Sequence, residues 1–249
     1  MLPIRLSLST LNLWNTERWP ERGEALKKFI NLYSPDIICF QELRKETQAY
    51  LDDFLISHAR IYDDFPGWTC EGNIYWKKSL FEEVQHDTED IGILEKYRRL
   101  FWVRLRMLNI DRTVLVSTAH YTYQRHPNEI ESGISPRIPQ TNNTISVLKN
   151  LTTDPEPIFF LGDLNDPVHP NRILTSSGFT NCFDALGILC PPTFPAFPTA
   201  NVFSGRSSMT LDWIFANKNS RAILAQVPHI YSGNLSPSDH WPIVAIYEI

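Results

Sequence analysis

Cysteine is scarce in this chain and forms no metal-binding or disulfide pattern. Cys39, Cys70, Cys182 and Cys190 are the four cysteines in 249 residues, and none belongs to a C-x-x-C pair. A zinc site and a disulfide-stapled secreted scaffold are therefore not indicated. Cys39 lies inside an apolar run, where a buried free thiol is the usual state. We expect a reducing, intracellular setting.

Long apolar runs and clusters of positive charge are also absent. The opening residues, M-L-P-I-R-L-S-L-S-T, lack the apolar block of a signal peptide, and no run is long enough to span a bilayer. We expect no membrane association and a cytoplasmic location, with the nucleus as an open alternative. The formal net charge of -5 argues against broad adhesion to nucleic acid, although it permits a local basic groove or a bound metal.

The remaining composition is that of an ordinary globular protein. Hydrophobic residues make up 43% and charged residues 20% of the chain. The length suffices for one large core, and no repeat, low-complexity tract or linker divides the sequence. We predict a single catalytic domain over residues 1–249, and we expect a monomer.

Hydrophobic periodicity predicts many short strands, several of them paired. Alternating residues predict a strand from Ile4, and continuous apolar runs predict buried strands at 36–40 and 158–161. Two hairpins are predicted, 72–76 with 80–84 and 100–107 with 113–120. The last predicted strands are 209–216, 222–227 and 241–247.

Fewer segments have helical spacing. Helices are predicted from Pro20 to the residues before Pro35, over a face that includes Leu51 and His58, and from Ile138 onward. Residues 121–136 are polar and turn-rich, which predicts a long loop. Many strands with few helices favour two packed sheets with helices outside.

Polar side chains of catalytic type follow or interrupt the apolar strands. They are Asn12, Glu42, His120, Asp163, Asn165, Asp212, Asp239 and His240. Asp163 and Asn165 follow one buried strand and can hold a water molecule between them. Asp212 interrupts an apolar strand, where a carboxylate is costly without a partner, and His240 could be that partner. Each residue alone fits a turn or a strand end, but the full set indicates one site.

An ordered set of motifs resembles the endonuclease/exonuclease/phosphatase superfamily. The motifs are T-L-N-L-W-N, C-F-Q-E-L, S-T-A-H-Y, G-D-L-N-D, T-L-D-W-I-F and P-S-D-H-W-P. The resemblance implies a DNase-I-like α/β fold, a four-layer α-β-β-α sandwich with two central mixed sheets and a site at one rim. Within the superfamily, L-Y-S-P-D-I-I-C-F-Q-E, E-G-N-I-Y-W-K-K-S and R-I-P-Q most resemble the tyrosyl-DNA phosphodiesterases that cleave 5′-phosphotyrosyl bonds. The chain departs from them in having H-Y-T-Y where H-L-E-S is typical, G-D-L-N where G-D-T-N is typical, and Pro167 where a basic residue is frequent.

The resemblance implies a metal site. Glu42 would be the main Mg²⁺ ligand, with Asn12 and Asp239 nearby, and Mn²⁺ is a possible substitute. Magnesium suits this set because it prefers hard oxygen ligands and takes only one or two carboxylates from protein.

The resemblance also implies catalytic roles. Asp163, positioned with Asn165, would orient or deprotonate the attacking water. His120 and His240, the latter held by Asp212, would donate hydrogen bonds to the phosphoryl oxygens. Candidate phosphate contacts are Arg98, Arg99 and Arg137. Candidate aromatic platforms for a base are Trp14, Tyr121 and Phe194.

The activity implied is Mg²⁺-dependent hydrolysis of a phosphodiester at a DNA end, either of the 5′-phosphotyrosyl type or as a nuclease. One alternative is an enzyme acting on a small phosphorylated molecule or an RNA 3′ tail, which the acidic composition favours. The other is a binding scaffold without activity, against which the complete residue set argues.

Overall fold

Short apolar runs bounded by turns dominate this chain, and they fold into two sheets. The structure is a computed structural model that describes residues 4–197 and 207–249. The strands in these ranges are β1 (Arg5–Asn12), β2 (Ile37–Gln41), β3 (His58–Arg60), β4 (Gly72–Lys77), β5 (Phe81–Glu89), β6 (Leu100–Met107), β7 (Thr113–His120), β8 (Ile158–Asp163), β9 (Thr180–Asn181), β10 (Asp212–Ala216), β11 (Arg221–Gln226) and β12 (Ile243–Glu248). The helices are α1 (Gly23–Tyr33), α2 (Lys45–Phe54), α3 (Gly67–Cys70), α4 (Pro127–Ser132), α5 (Arg137–Leu151), α6 (His169–Ser176) and α7 (Cys182–Ala185).

Within the described ranges each sheet has six strands and mixes parallel with antiparallel pairs. The first sheet has the order β11-β12-β1-β2-β4-β3, and the second has the order β5-β6-β7-β8-β10-β9. Strands β1 and β2 are parallel, as are β7 and β8. Since parallel neighbours end at the same edge, the residues that follow these strands are brought together there.

In the described part of the chain, three apolar clusters separate four layers. Leu8 and Cys39 of the first sheet pack with Val116 and Leu161 of the second, which forms the core between the sheets. Helices α1 and α2 cover the outer face of the first sheet, and α5 and α6 cover the outer face of the second. A buried leucine in such a core contributes about 1.5–3 kcal/mol. The α-β-β-α sandwich expected from the sequence is confirmed.

The hairpin predicted between residues 72–76 and 80–84 is wrong. Strand β4 pairs with β2 and β3 in the first sheet, whereas β5 pairs with β6 in the second. The polar residues Lys77 and Lys78 do mark the end of a strand, but the chain there crosses from one sheet to the other. A local turn signal is the same in both cases, because it carries no information about which sheet comes next.

Some predicted element boundaries also differ. Helix α1 begins at Gly23 rather than at Pro20. Helix α2 ends at Phe54, and His58 lies in β3, where its Nε2 contacts the Pro35 carbonyl at 3.1 Å. The loop predicted at 121–136 contains the short helix α4. The β6–β7 pair and helix α5 form as predicted. None of the helices within 4–197 and 207–249 has the length and apolar content for crossing a membrane.

Candidate active site

Three polar side chains lie in one row across the second sheet. His120 ends β7 and is the register partner of Asp163, which ends β8. On the other side, Asp163 is paired with Asp212, the first residue of β10. The strand register alone therefore gathers a histidine and two carboxylates that are far apart in sequence.

Gly162 allows strands β7 and β8 to approach each other closely at this row. Its φ is +149°, and a Cβ at this position would lie 2.1 Å from the carbonyl oxygen of Ala119. Strands β7 and β8 therefore approach each other closely just before His120 and Asp163, in a way that a side chain would prevent.

The first sheet contributes Asn12 and Glu42. Asn12 ends β1, and its Nδ2 donates to Glu42 Oε1 at 3.3 Å and to Asp163 Oδ2 at 2.9 Å. Beside it, the Gln41 Nε2 donates to Thr118 Oγ1 at 2.8 Å across the sandwich. The site therefore lies where the rims of the two sheets meet, and amide groups connect them.

His240 lies in the loop before β12 and contacts both carboxylates of the row. Its Nδ1 is 2.8 Å from Asp212 Oδ2, and its Nε2 is 3.8 Å from Asp163 Oδ2. Burial alone would lower the pKa of His240, but the Asp212 and Asp163 carboxylates outweigh it and raise this pKa well above its usual value. His240 is therefore an imidazolium, held by Asp212 through one nitrogen and presenting the other.

The pKa of His120 is shifted in the opposite direction from that of His240. Its Nε2 is 3.3 Å from Asp163 Oδ2 and 3.9 Å from Glu42 Oε1. Burial, with the positive charges of Arg98 and His240, lowers the pKa of His120 well below its usual value. A neutral imidazole with its proton on Nε2 fits these two acceptors.

Asp163 lies at the centre of these contacts. Burial raises its pKa to about 7, although the His240 charge opposes the shift. Asn165 donates its main-chain N–H to Asp163 Oδ1 at 2.9 Å, and its side-chain amide donates to the Tyr121 carbonyl at 2.9 Å. A carboxylate with a pKa near neutrality suits a general base, because it can take a proton and lose it again at working pH.

The oxygen donors near Glu42 fit a hard divalent cation. Asn15 donates through Nδ2 to Glu42, while its buried Oδ1 has no hydrogen-bond partner among the residues that the structure describes. Burial raises the pKa of Asp239 to about 6, and the nearby Glu42 charge adds to the shift. In the described part of the chain, neither carboxylate pairs with a Lys or Arg. The half-buried Glu42 carboxylate, the buried Asp239 carboxylate and the Asn15 amide oxygen are hard oxygen donors of the kind that Mg²⁺ prefers.

Asn12 has a different orientation from that of a ligand. Its Oδ1 accepts from the Trp14 N–H at 2.9 Å, so its NH₂ group faces Glu42. This arrangement positions the Glu42 carboxylate. Asp163, Asp212 and His240 also bring ligand-type atoms within 4.8 Å of one another. In that group, however, the short Asp212–His240 hydrogen bond already occupies Nδ1.

A cleft of about 680 Å³ opens above these residues. Trp14, Arg98 and Phe194 line it, together with the segment from Tyr123 to Arg125. The Phe194 ring packs against the His240 ring at 4.9 Å between centroids. The cleft therefore combines a charged floor with aromatic and cationic walls.

The sequence agrees with this geometry. Residues 9–240 match the sequence model of the Endonuclease/Exonuclease/phosphatase family. The chain belongs to this family. Its members are phosphoric ester hydrolases that generally use a divalent metal, and the chain is an enzyme of this class.

Solved structures of the family share the fold. D. rerio TDP2 complexed with single-strand DNA product superposes with a TM-score of 0.79 at 18% identity, over 98% of this chain and 99% of that one. Bacteroides thetaiotaomicron mannosyl-6-phosphatase has a TM-score of 0.80 at 15% identity, over 97% and 99% of the two chains. The human Nocturnin catalytic domain has a TM-score of 0.73 at 18% identity, over 98% and 93%. Comparison with curated proteins gives no match.

Three residues that we predicted to contact substrate lie elsewhere in this family member. Tyr121 is fully buried, and its hydroxyl bonds to Thr144 Oγ1 at 2.7 Å, so it is part of the core and not a platform. Arg137 is buried and donates to the carbonyls of Thr122 and Tyr123, which makes it a structural clamp. Arg99 pairs with Asp90 at 3.5 Å and does not line the cleft. Neither periodicity nor charge separates these environments in a sequence.

Sequence reasoning missed three residues at or beside this candidate site. Asn15 is the last residue of the motif T-L-N-L-W-N, so the motif could have indicated that it lies near the site. Arg125 lines the cleft, but it lies in a polar loop where arginine is common. Arg22 is fully buried next to the site, and no sequence signal distinguishes it from an exposed arginine at the start of a helix.

Proposed function

We propose that this chain is a Mg²⁺-dependent phosphodiesterase that acts at a DNA end, with residues 1–249 as one catalytic domain. The observation that carries the proposal is the convergence of Asp163, His120 and His240 with the donors near Glu42 on the floor of one cleft. Phosphoryl transfer relies on positioning and charge stabilisation, and this floor offers both.

The residues divide the chemistry between them. Asp163 takes a proton from the attacking water, and its hydrogen bond from Asn165 fixes the carboxylate orientation. His240, as imidazolium, and neutral His120 donate through Nε2 to the phosphoryl oxygens as charge grows there. Glu42, Asn15 and Asp239 would hold the cation. Bound Mg²⁺ would neutralise phosphate charge and stabilise the leaving oxygen.

The cleft favours a nucleic acid end over a bare phosphate monoester. Its volume of about 680 Å³ exceeds what one phosphate fills. Trp14 and Phe194 on its walls offer faces for base stacking, and Arg98 and Arg125 offer charge for the backbone. D. rerio TDP2, which shares the fold, is complexed with single-strand DNA product.

A small phosphorylated molecule is the second candidate. The net charge of -5 disfavours a long polyanion. A mannosyl-6-phosphatase also shares the fold. Such a substrate would use the same floor and leave much of the cleft empty.

A substrate panel tests both candidates. Purified protein with Mg²⁺ is given 5′-phosphotyrosyl DNA, single-stranded DNA, poly(A) and sugar phosphates, with and without EDTA. We expect cleavage of a DNA end that EDTA abolishes, and a loss of about 100- to 1,000-fold or more in Asp163→Asn. Asp111→Asn, at an exposed loop position, is the matched control. Turnover of sugar phosphates alone would reject the DNA-end proposal, and full activity of Asp163→Asn would reject the mechanism.

A further inference from the structure

Arg22 is a buried arginine that the mechanism above does not use. It immediately precedes α1 and has no exposed surface. Buried guanidinium groups are costly and almost always paired with a carboxylate. Within residues 4–197 and 207–249, Arg22 forms no ion pair closer than 4 Å; it is surrounded by main-chain carbonyls and by the rings of Trp14 and Trp19, at 5.5 and 5.6 Å from the ring centroids.

The guanidinium joins two separate segments of chain. Its Nη2 donates to the carbonyl of Leu13 at 2.9 Å and to those of Trp14 and Asn15 at 3.4 Å each. Its Nε donates to the Glu17 carbonyl at 2.6 Å. On the other side, Nη1 donates to the Pro237 carbonyl. A single planar group therefore fixes the turn after β1 against the loop before β12.

Both segments carry oxygen donors of the candidate cation site. Asn15 contacts Glu42, and Pro237 lies two residues before Asp239. Trp14 and Asn15 have φ values of 53° and 50°, a left-handed conformation that costs side-chain-bearing residues about 1–3 kcal/mol each. Their carbonyls converge on Arg22 in this conformation, so the clamp compensates for the strain.

The positive charge of Arg22 opposes cation binding, whereas its hydrogen bonds hold the cation ligands in place. Burial lowers the pKa of Arg22 to about 10, which leaves the group protonated at neutral pH, and the Asp239 and Glu42 charges oppose the shift. A fixed positive charge close to Glu42 and Asp239 repels a divalent cation. Removing the charge alone would therefore strengthen metal binding, whereas removing the clamp would weaken it.

We propose that Arg22 is a positioning residue that holds the turn after β1 and the loop before β12 in the arrangement that binds the divalent cation. The inference rests on the proposed function, since it assumes that Glu42, Asn15 and Asp239 take the metal. An arginine is required because only its planar fork of N–H groups reaches carbonyls on both sides, whereas lysine offers one compact ammonium.

Calorimetric titration with Mn²⁺, without substrate, distinguishes the effect of the Arg22 hydrogen bonds on metal affinity from the effect of its positive charge. We expect Arg22→Lys and Arg22→Met to bind Mn²⁺ about 10- to 100-fold more weakly than the parent, as is typical when groups that orient metal ligands are lost. If the charge dominated, Arg22→Met would bind more tightly and Arg22→Lys would match the parent, and either result would overturn the proposal. The control is Arg104→Lys, because Arg104 also bonds a main-chain carbonyl and a buried Glu156, far from these ligands. It should lower the melting temperature and leave Mn²⁺ affinity unchanged.

Hydrogen exchange in the parent protein tests the same idea without a variant that must fold. If Arg22 joins the two segments, the amides of Leu13 and Glu17 should exchange in one cooperative opening with that of His240. Free opening of the 236–240 loop while the turn after β1 stays protected would contradict the clamp. This outcome is separable from failure of the proposed function: a parent that binds Mn²⁺ but cleaves no DNA end rejects the substrate and leaves Arg22 to be judged on affinity.

Discussion

At the scale of single residues, neighbours decide the chemistry of the two histidines. His120 and His240 are both buried beside Asp163, yet the pKa of one is lowered and the pKa of the other is raised. The difference is Asp212, which bonds His240 Nδ1, whereas no residue within 4–197 and 207–249 forms a hydrogen bond with His120 Nδ1. One neutral donor and one cationic donor then face the same carboxylate, an arrangement that suits a phosphate whose charge grows during reaction.

Asp212→Asn should separate charge from shape at this pair. The amide keeps the size of the carboxylate but removes the charge that keeps His240 protonated, so kcat should fall about 100- to 1,000-fold while KM changes little. Steady-state kinetics and the histidine ring signals in NMR spectra measure the two effects. Asp184→Asn serves as the control, because Asp184 is a carboxylate of α7, which packs on the second sheet, and it does not line the cleft. An active Asp212→Asn enzyme would show that the imidazolium is not required.

The residue scale also shows what a sequence can reveal. The Asp212–His240 contact followed from the cost of an unpaired carboxylate in an apolar strand, and the strand-end pattern located the other polar residues of the floor. Tyr121 and Arg137 were misplaced, because an aromatic or an arginine can be core or surface with the same letters around it. The sequence did not indicate the role of Arg22, because its partners are main-chain carbonyls, which every residue possesses.

At the scale of elements, the close approach of β7 and β8 sets the position of the floor. Gly162 is the point of contact, with Ala119 on the neighbouring strand. The sequence predicted the strands themselves well, because continuous apolar runs and the turn between β6 and β7 are local signals. It failed at the passage from β4 to β5, where the choice between pairing and crossing to the other sheet depends on contacts with β2 and β6.

Gly162→Ala tests the close approach. The new methyl would meet the Ala119 carbonyl while the backbone stays at positive φ, so we expect a loss of about 2–4 kcal/mol in the free energy of unfolding and a matching loss of activity. Gly178→Ala is a matched control, since Gly178 has a φ of +95° and no atom of the described residues lies within 4 Å of its added Cβ. Urea denaturation measures the free energy of unfolding of the two variants, and a phosphodiesterase assay measures their activity. Equal losses would mean that backbone strain, and not the contact between β7 and β8, explains the effect.

At the scale of the whole molecule, the site depends on how the two sheets are held together. Asn12 and Gln41 join them at the rim that carries the floor. A second connection lies at another edge, where His86 of β5 reaches across to the segment that follows β3. Its Nδ1 is 2.5 Å from Glu83 Oε1 in its own strand, and its Nε2 is 3.3 Å from Asp63 Oδ2 in the other sheet's connecting segment. The ring also contacts Trp68 at 5.8 Å between centroids.

This edge should make stability depend on pH. Burial would lower the pKa of His86, but hydrogen bonds to Glu83 and Asp63 outweigh it and raise this pKa above the unfolded value of about 6.5. The folded state therefore holds the proton more tightly, and the contribution is complete below the unfolded pKa and lost as pH rises through the folded one. In urea denaturation, His86→Gln should destabilise the protein more at about pH 5.5 than at about pH 8.5. A double variant, Asp63→Asn with Glu83→Gln, keeps the histidine and should remove the same pH dependence. Parallel stability profiles for parent and His86→Gln would show instead that the two sheets are joined at this edge by packing on Trp68 and not by charge.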